Sequence, residues 1–178
     1  MTINCELTNE DYLVHQLYTS SKSKSHINKR FRSRIIVPIV YLLLALFLVY
    51  AKKDNRIGFV FVGVGFLWFL LYPMYSKWRY ERHYRKHIEE HYKNRNNIPT
   101  EIVFGEGVIN ATDATSQTKI NGTEVKELIE LKDHFLIKLK TDLAFILPKH
   151  SIGDIAMLKS RVTHFGAVYV DDIQWAWK

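Results

Sequence analysis

Two apolar runs separated by five polar residues constrain this 178-residue chain more than any other feature. The first, IIVPIVYLLLALFLVYA, covers 35–51, and the second, IGFVFVGVGFLWFLLYPMY, covers 57–75. Neither contains Asp, Glu, Lys, Arg or His. A hydrocarbon core takes roughly 17–25 residues of helix to cross. Both runs reach that length, the first with its flanking cations snorkelling outward. A buried helix of a soluble domain keeps a polar stripe, and these runs have none. A secretory signal would place its apolar stretch near the N-terminus, ahead of a small-residue cleavage site. Here 34 mostly polar residues come first, and LVYAKKD leads directly into the second run. The pattern predicts a helical hairpin in a membrane, joined by KKDNR. A mean hydropathy of −0.13 does not conflict, because polar flanks dilute two short spans.

The cations set the expected orientation. Lys22, Lys24, Lys29, Arg30, Arg32 and Arg34 precede the first run. Lys77, Arg79, Arg82, Arg85, Lys86, Lys93 and Arg95 follow the second, and the loop between them holds only Lys52, Lys53 and Arg56. The positive-inside bias then puts both termini in the cytoplasm. Eight of these are expected at the membrane interface: Arg30, Arg32, Arg34, Lys52, Lys53, Lys77, Arg79 and Arg82. Cys5 would face a reducing compartment, and one cysteine forms no disulfide within a chain. The sequons at Asn110 and Asn121 carry no meaning on that side of the membrane.

A pI near 9.4 and a net charge of +7 raise the question of nucleic acid. The distribution argues against it. Residues 98–178 hold nine Lys or Arg against eleven Asp or Glu, so the excess lies in the flanks and loop of the hairpin. Cations there are worth about 1 kcal/mol each against an anionic leaflet. A nucleic-acid reader concentrates them on a folded domain instead. The bilayer is the expected partner, and nucleic acid is not.

Residues 1–34 read as a short helix and a basic connector. Thr8 with Asp11 resembles a capping box, Tyr12, Leu13 and Leu17 give a weak apolar face, and SSKSKS at 20–25 reads as a flexible joint. After the second run, residues 76–97 predict a juxtamembrane helix with a stripe of Tyr80, Tyr84, Ile88 and Tyr92, ended by Pro99. From residue 98 the apolar period becomes two. TEIVF, VINAT, TSQTKI, TEVKELIELK, FLIKLK and LAFILPK predict strands. GEG at 105–107, Asn121-Gly122, Lys132-Asp133-His134 and Thr141-Asp142 predict hairpin turns. Ser151 with Asp154 opens a helix bearing Ile155, Leu158, Val162 and Phe165 on one face, stopped by Gly166. The tail AVYVDDIQWAWK reads either as a last strand or as an aromatic segment at the membrane surface, with the strand preferred. The expected fold is α+β: a transmembrane hairpin over 35–75, then an antiparallel β-meander over 98–178 closed by a C-terminal helix.

Candidate chemistry is sparse. His83, His87 and His91 recur every four residues, and HIEEH at 87–91 matches the HxxEH spelling of a zinc motif. Two ligands on a solvated helix need a third and a cleft, so His87, Glu90 and His91 stand only as weak metal candidates beside a plain polar face or a pH-responsive one. Cys5 lacks an activating base. Asp171 and Asp172 are adjacent, so an extended chain points them to opposite faces. P-loop, GxGxxG, GxSxG and CxxC motifs are missing from the sequence, and no cofactor is expected. Neither span carries a charge or a broken helix of the kind transporters use. Gly58 and Gly65 share a helix face, which fits close packing within the hairpin as well as association between copies.

The segments ELTNEDYLVHQLY at 6–18, the two-run hairpin, and TEVKELIELKDHFLIKLKTDLAFILPKHSI at 123–152 resemble the YcxB-like family of bacterial membrane proteins. The resemblance implies a pleckstrin-homology-like C-terminal domain on the cytoplasmic side and no catalytic residues. Phosphoinositide binding is not implied, since Gly105-Glu106-Gly107 replaces the basic loop that function uses. The expectation is a non-enzymatic, two-pass inner-membrane protein whose β domain contacts a regulatory protein partner. Alternatives are protection against a membrane-directed toxin by direct binding, and a membrane zinc hydrolase centred on His87, Glu90 and His91.

Overall fold

A computed structural model describes residues 1–53, 55–92 and 96–177. The chain is α+β and divides into two compact units, Met1–Gln16 with Arg85–Ala176, and Leu17–Tyr84 with Trp177–Lys178.

The first unit holds two four-stranded sheets. Strand β1 (Thr2–Glu6) pairs antiparallel with β2 (Pro99–Phe104), which pairs with β3 (Val108–Thr112), which pairs with β4 (Gln117–Asn121). In the second sheet, β5 (Val125–Glu130) lies between β6 (His134–Leu139) and β8 (Val168–Asp171), and β7 (Ala144–Pro148) flanks β6. β5 and β8 run parallel, from Glu127 opposite Val168 to Glu130 opposite Asp171. Helix α4 (Ile155–His164) makes the crossover that a parallel pair requires. Alternation builds the core: Ile3 and Cys5 of β1, Ile102 and Phe104 of β2, Leu128, Phe135 and Ile137 of the second sheet, and Leu158 and Val162 of α4 form one buried cluster.

Several sequence expectations hold. Gly105-Glu106-Gly107 turns β2 into β3, with Gly107 at φ 77° and the Gly105 N–H donating to Val108 O at 2.9 Å. Asp142 (φ 65°) sits between β6 and β7. Thr8 and Asp11 form the capping box of α1 (Asn9–Lys22): the Thr8 N–H donates to Asp11 Oδ2 at 2.7 Å, and the Asp11 N–H returns to Thr8 Oγ1 at 3.4 Å. Gly166, at φ 90°, follows α4.

Other expectations need correction. The N-terminal segment contributes a strand, so residues 1–16 belong with the β-rich unit. Alternating Ile3 and Cys5 supply a buried face to an otherwise exposed β2 edge. The sheets are not a pure meander, because β8 returns parallel. Asn121-Gly122 makes no hairpin: a 3-10 turn, Gly122–Glu124, carries the chain from one sheet to the other. Gly122 is needed there for close approach, since a Cβ would stand 2.6 Å from the Phe165 ring. Asp154, not Ser151, caps α4, its Oδ1 accepting from the Met157 N–H at 2.9 Å. The tail is strand only over Val168–Asp171.

The second unit is built on two long helices. α2 (Lys24–Lys52) begins one residue after α1 ends, so the expected flexible joint shrinks to Ser23 at φ −72°, ψ 120°. α3 (Asn55–His91) continues through the second apolar run and the charged segment after it. The KKDNR loop is correspondingly short. Lys52 ends α2, and Lys53 adopts a left-handed conformation (φ 51°) with its N–H on Leu48 O. α3 stops at His91 rather than reaching Pro99, which opens β2 instead. Lys93 and Arg95 lie outside the described residues. Both helices are long and apolar enough to cross a membrane, and only 6% and 17% of their most apolar windows are buried. Gly58 and Gly65 face α2: a Cβ would stand 2.6 Å from Val49 Cγ2 at Gly58 and 3.2 Å from Tyr41 Cβ at Gly65. They pack the hairpin.

Candidate functional site

Three polar assemblies are candidates for chemistry, and two are closed on themselves. In the β-rich unit, Glu130 of β5 is buried with its carboxylate fully engaged. Lys149 Nζ donates to Oε1 at 2.8 Å, and Lys159 Nζ and Tyr169 Oη reach Oε2 at 2.5 and 2.6 Å. Burial works to raise the Glu130 pKa, but the bonds from Lys149, Lys159 and Tyr169 outweigh it and hold the carboxyl at about 2. The same contact with Glu130 raises Lys159 and Tyr169. Buried charges persist only when paired and hydrogen-bonded, and this set ties α4, β5, β8 and the turn after β7 together.

Asp11 forms the second assembly. Its Oδ1 lies 2.6 Å from His134 Nε2, while Oδ2 serves the Thr8 cap. Desolvation opposes ionisation of Asp11, yet the bonds from His134 and Thr8 prevail and lower its pKa. Cys5 sits in the same unit, 5% exposed, with its thiol pushed up by burial and then by the Asp11 charge. A raised thiol stays protonated and is a poor nucleophile. Cys5 is thus a core side chain rather than one on a frayed end.

Of the HxxEH residues, the two histidines come together and Glu90 turns to Lys86. The His87 and His91 rings lie 4.3 Å apart, His91 Nδ1 is 3.0 Å from its neighbour's carbonyl, His87 O, and Glu90 pairs with Lys86 at 3.7 Å. No group of three His, Cys, Asp or Glu side chains able to hold a metal occurs among the described residues.

The third assembly is open. Between α2 and α3 lies a cleft of about 520 Å³, a volume within the roughly 300–1,000 Å³ range of small-molecule sites. Helix α2 contributes His26, Lys29, Arg30, Arg32 and Ser33. Helix α3 contributes Tyr72, Tyr75, Ser76, Arg79, Tyr80, His83 and Tyr84. The spacing of Tyr72, Ser76, Tyr80 and Tyr84 is four residues, so they stack along one face of α3. His26 Nδ1 lies 3.4 Å from Tyr80 Oη, and the Arg30 guanidinium stands 5.8 Å over the Tyr80 ring and 4.5 Å over Trp177. Four cations line the cleft, and among the described residues no carboxylate does. Ser76 is 4% exposed, yet its Oγ has no hydrogen-bond partner, and neither does the buried Nη1 of Arg30.

The expected interface cations thus divide. Arg30, Arg32 and Arg79 meet at the cleft. Arg34 instead covers Phe69, 4.2 Å from the ring centroid, with its Nε on Phe69 O at 3.3 Å. Lys77 pairs with Glu81 at 4.0 Å, and Arg82 stands 5.4 Å over Trp78. Lys52 and Lys53 lie at the other end of the hairpin. Sequence reasoning missed His26, Ser33 and Ser76 as cleft residues. Ser76 gave one signal, a lone hydroxyl where the apolar run gives way to cations. Compared with protein-family models, with curated proteins and with solved structures, the chain finds no match.

Proposed function

We propose that this chain is a two-pass membrane protein with both termini in the cytoplasm, presenting its β-rich unit as a non-catalytic, regulatory interaction module. The observation that carries the reading is the outward face of the two long helices. Leu43, Phe47, Phe59, Val60 and Phe66 are each more than half exposed, on segments with no Asp, Glu, Lys, Arg or His. Water would penalise that surface at about 25 cal/mol per Å², whereas lipid tails would not. The cation bias supports the orientation, and a bacterial inner membrane follows from the YcxB-like resemblance.

Two four-stranded sheets closed by α4 agree with a pleckstrin-homology-like reading of the second part. For contact with a partner, β8 is an edge strand, and Val168 on it is 63% exposed. Ile155 and Met157 of α4 are also exposed apolar side chains. An exposed edge with apolar neighbours suits strand addition.

Affinity capture of the full chain from its native membranes tests this, with V168D as the comparison. A partner captured by the wild type and lost by V168D is the expected result. The same partners with both chains would remove β8 as the contact. Recovery of the protein from detergent-free extract as a monodisperse monomer would remove the membrane reading itself.

A further inference from the structure

We propose that the cleft between α2 and α3 is a binding site for the phosphate of an anionic phospholipid head group, held by Arg30, Arg79 and Ser76. The proposal rests on the membrane reading above and adds a ligand to it.

The first argument is charge. Lys29, Arg30, Arg32 and Arg79 line the cleft with no acidic side chain among its described lining residues. Guanidinium groups match phosphate oxygens in a planar, two-toothed geometry. Like charges gathered around one cavity repel each other unless an anion sits among them.

The second argument is hydrogen-bonding capacity left unused. A serine inside a helix usually turns its hydroxyl back to the carbonyl one turn earlier. Ser76 does not, although it is 96% buried by the complement of its 4% exposure. Arg30 Nη1 is buried and equally unpartnered. Buried polar atoms without partners are rare and call for an explanation. A phosphate accepts from both.

The third argument is position along the helices. Ser33 directly precedes the residues flanking the first apolar run, and Ser76 directly follows the second. Both therefore lie where head groups meet acyl chains. Tyr72, Tyr75 and Tyr80 supply the amphipathic rings favoured at that depth. Ile36, Ile39, Leu71 and Met74 offer exposed apolar surface for the chains of the same lipid. A free phosphate would use the cations and the serine but not that surface, so the structure favours the lipid. Basic pockets between membrane helices on the cytoplasmic side are known to bind head groups in general.

The test uses the full chain in nanodiscs of phosphatidylcholine with phosphatidylglycerol as the minor component, read by native mass spectrometry of the released protein. The wild type should retain phosphatidylglycerol in preference to phosphatidylcholine. R30Q and S76V should each lower that retention about tenfold, the effect of one lost charge-assisted bond. R79Q, an exposed position that disturbs no packing, should do the same and covers the case in which the first two fail to fold. A K77Q/R82Q control removes two interface cations of the same helix outside the cleft and should lower retention far less than any cleft variant. An equal loss in control and cleft variants would overturn the proposal in favour of diffuse attraction. Displacement of the lipid by inorganic phosphate alone would overturn the choice of lipid as the source. Wild-type protein that inserts into nanodiscs without preference defeats only this site, whereas protein that does not insert defeats the membrane reading.

Discussion

The Glu130 cluster and the cleft around Ser76 are assembled from the same kinds of side chain, and they end in opposite states. Around Glu130, two lysines and a tyrosine saturate one carboxylate at 2.5–2.8 Å. Around Ser76, four cations and a buried hydroxyl line one cleft, with no carboxylate among the described lining residues. The first arrangement satisfies itself and holds strands together. The second leaves capacity that only something outside the chain can fill. The difference teaches that a functional site shows itself less by the residues it contains than by the bonds it leaves unmade.

The comparison can be broken or sharpened by substitution. The largest expected effect separates the two units by their solvent. Phe135 is 0% exposed in the core of the β-rich unit, and F135A should cost about 3–5 kcal/mol through lost burial and a cavity. Phe59 is 76% exposed on α3, and F59A should change stability by no more than about 0.5 kcal/mol. Hydrogen exchange of the full chain measures both, at the β5 and β6 amides for F135A and at the α3 amides for F59A. Equal effects would mean that the exposed helices carry a core of their own in solution.

The next effect tests the closed cluster. E130Q should destabilise the β-rich unit by about 3 kcal/mol, because it leaves two lysines of the pair network without their carboxylate. It also has a pH signature. The Glu130 pKa is lowered in the folded protein from 4.5 to about 2. Its contribution is therefore complete above about pH 4.5 and is lost as pH falls toward 2. Thermal scans of the wild type should steepen over that interval, and E130Q should be flatter there. An unchanged acid limb in E130Q would assign the acid sensitivity to Asp11 and Asp113, which are also lowered.

The smallest effect concerns hairpin packing. A leucine at Gly65 would press on Tyr41 Cβ and the Pro38 backbone, and overpacking of this kind costs about 1–3 kcal/mol. The rings of Tyr41 and Phe61 lie 5.9 Å apart. A short bifunctional thiol reagent should bridge Y41C and F61C efficiently in the wild-type background and poorly with G65L. Unimpaired cross-linking would show that the hairpin does not depend on Gly65.

Local chemistry made much of this legible in the sequence. The capping box at Thr8 and Asp11, the turn at Gly105–Gly107 and the stop at Gly166 each depend on residues within a few positions, and each was readable. So were the apolar runs, whose signal is composition. What escaped depends on distant partners. β1 is five residues long, and its alternating Ile3 and Cys5 are meaningless until β2, about a hundred residues later, supplies an edge. Gly122 looked like a turn because Asn-Gly usually is one, but its reason is the Phe165 ring. β8 pairs parallel across α4, a long-range choice that periodicity does not encode. The cleft was half visible: its cations were expected at an interface, but no spacing rule announced that Arg30 and Arg79 would share one cavity with Ser76.

The pairing of Thr2 with Val103 sets a timetable for biosynthesis. At a ribosomal pace of about 5–20 residues per second, the first strand waits on the order of 5–20 s for its mate. Both greasy helices are made within that interval. An extension fused ahead of Met1 would therefore load a strand whose partner emerges only after both helices have been made.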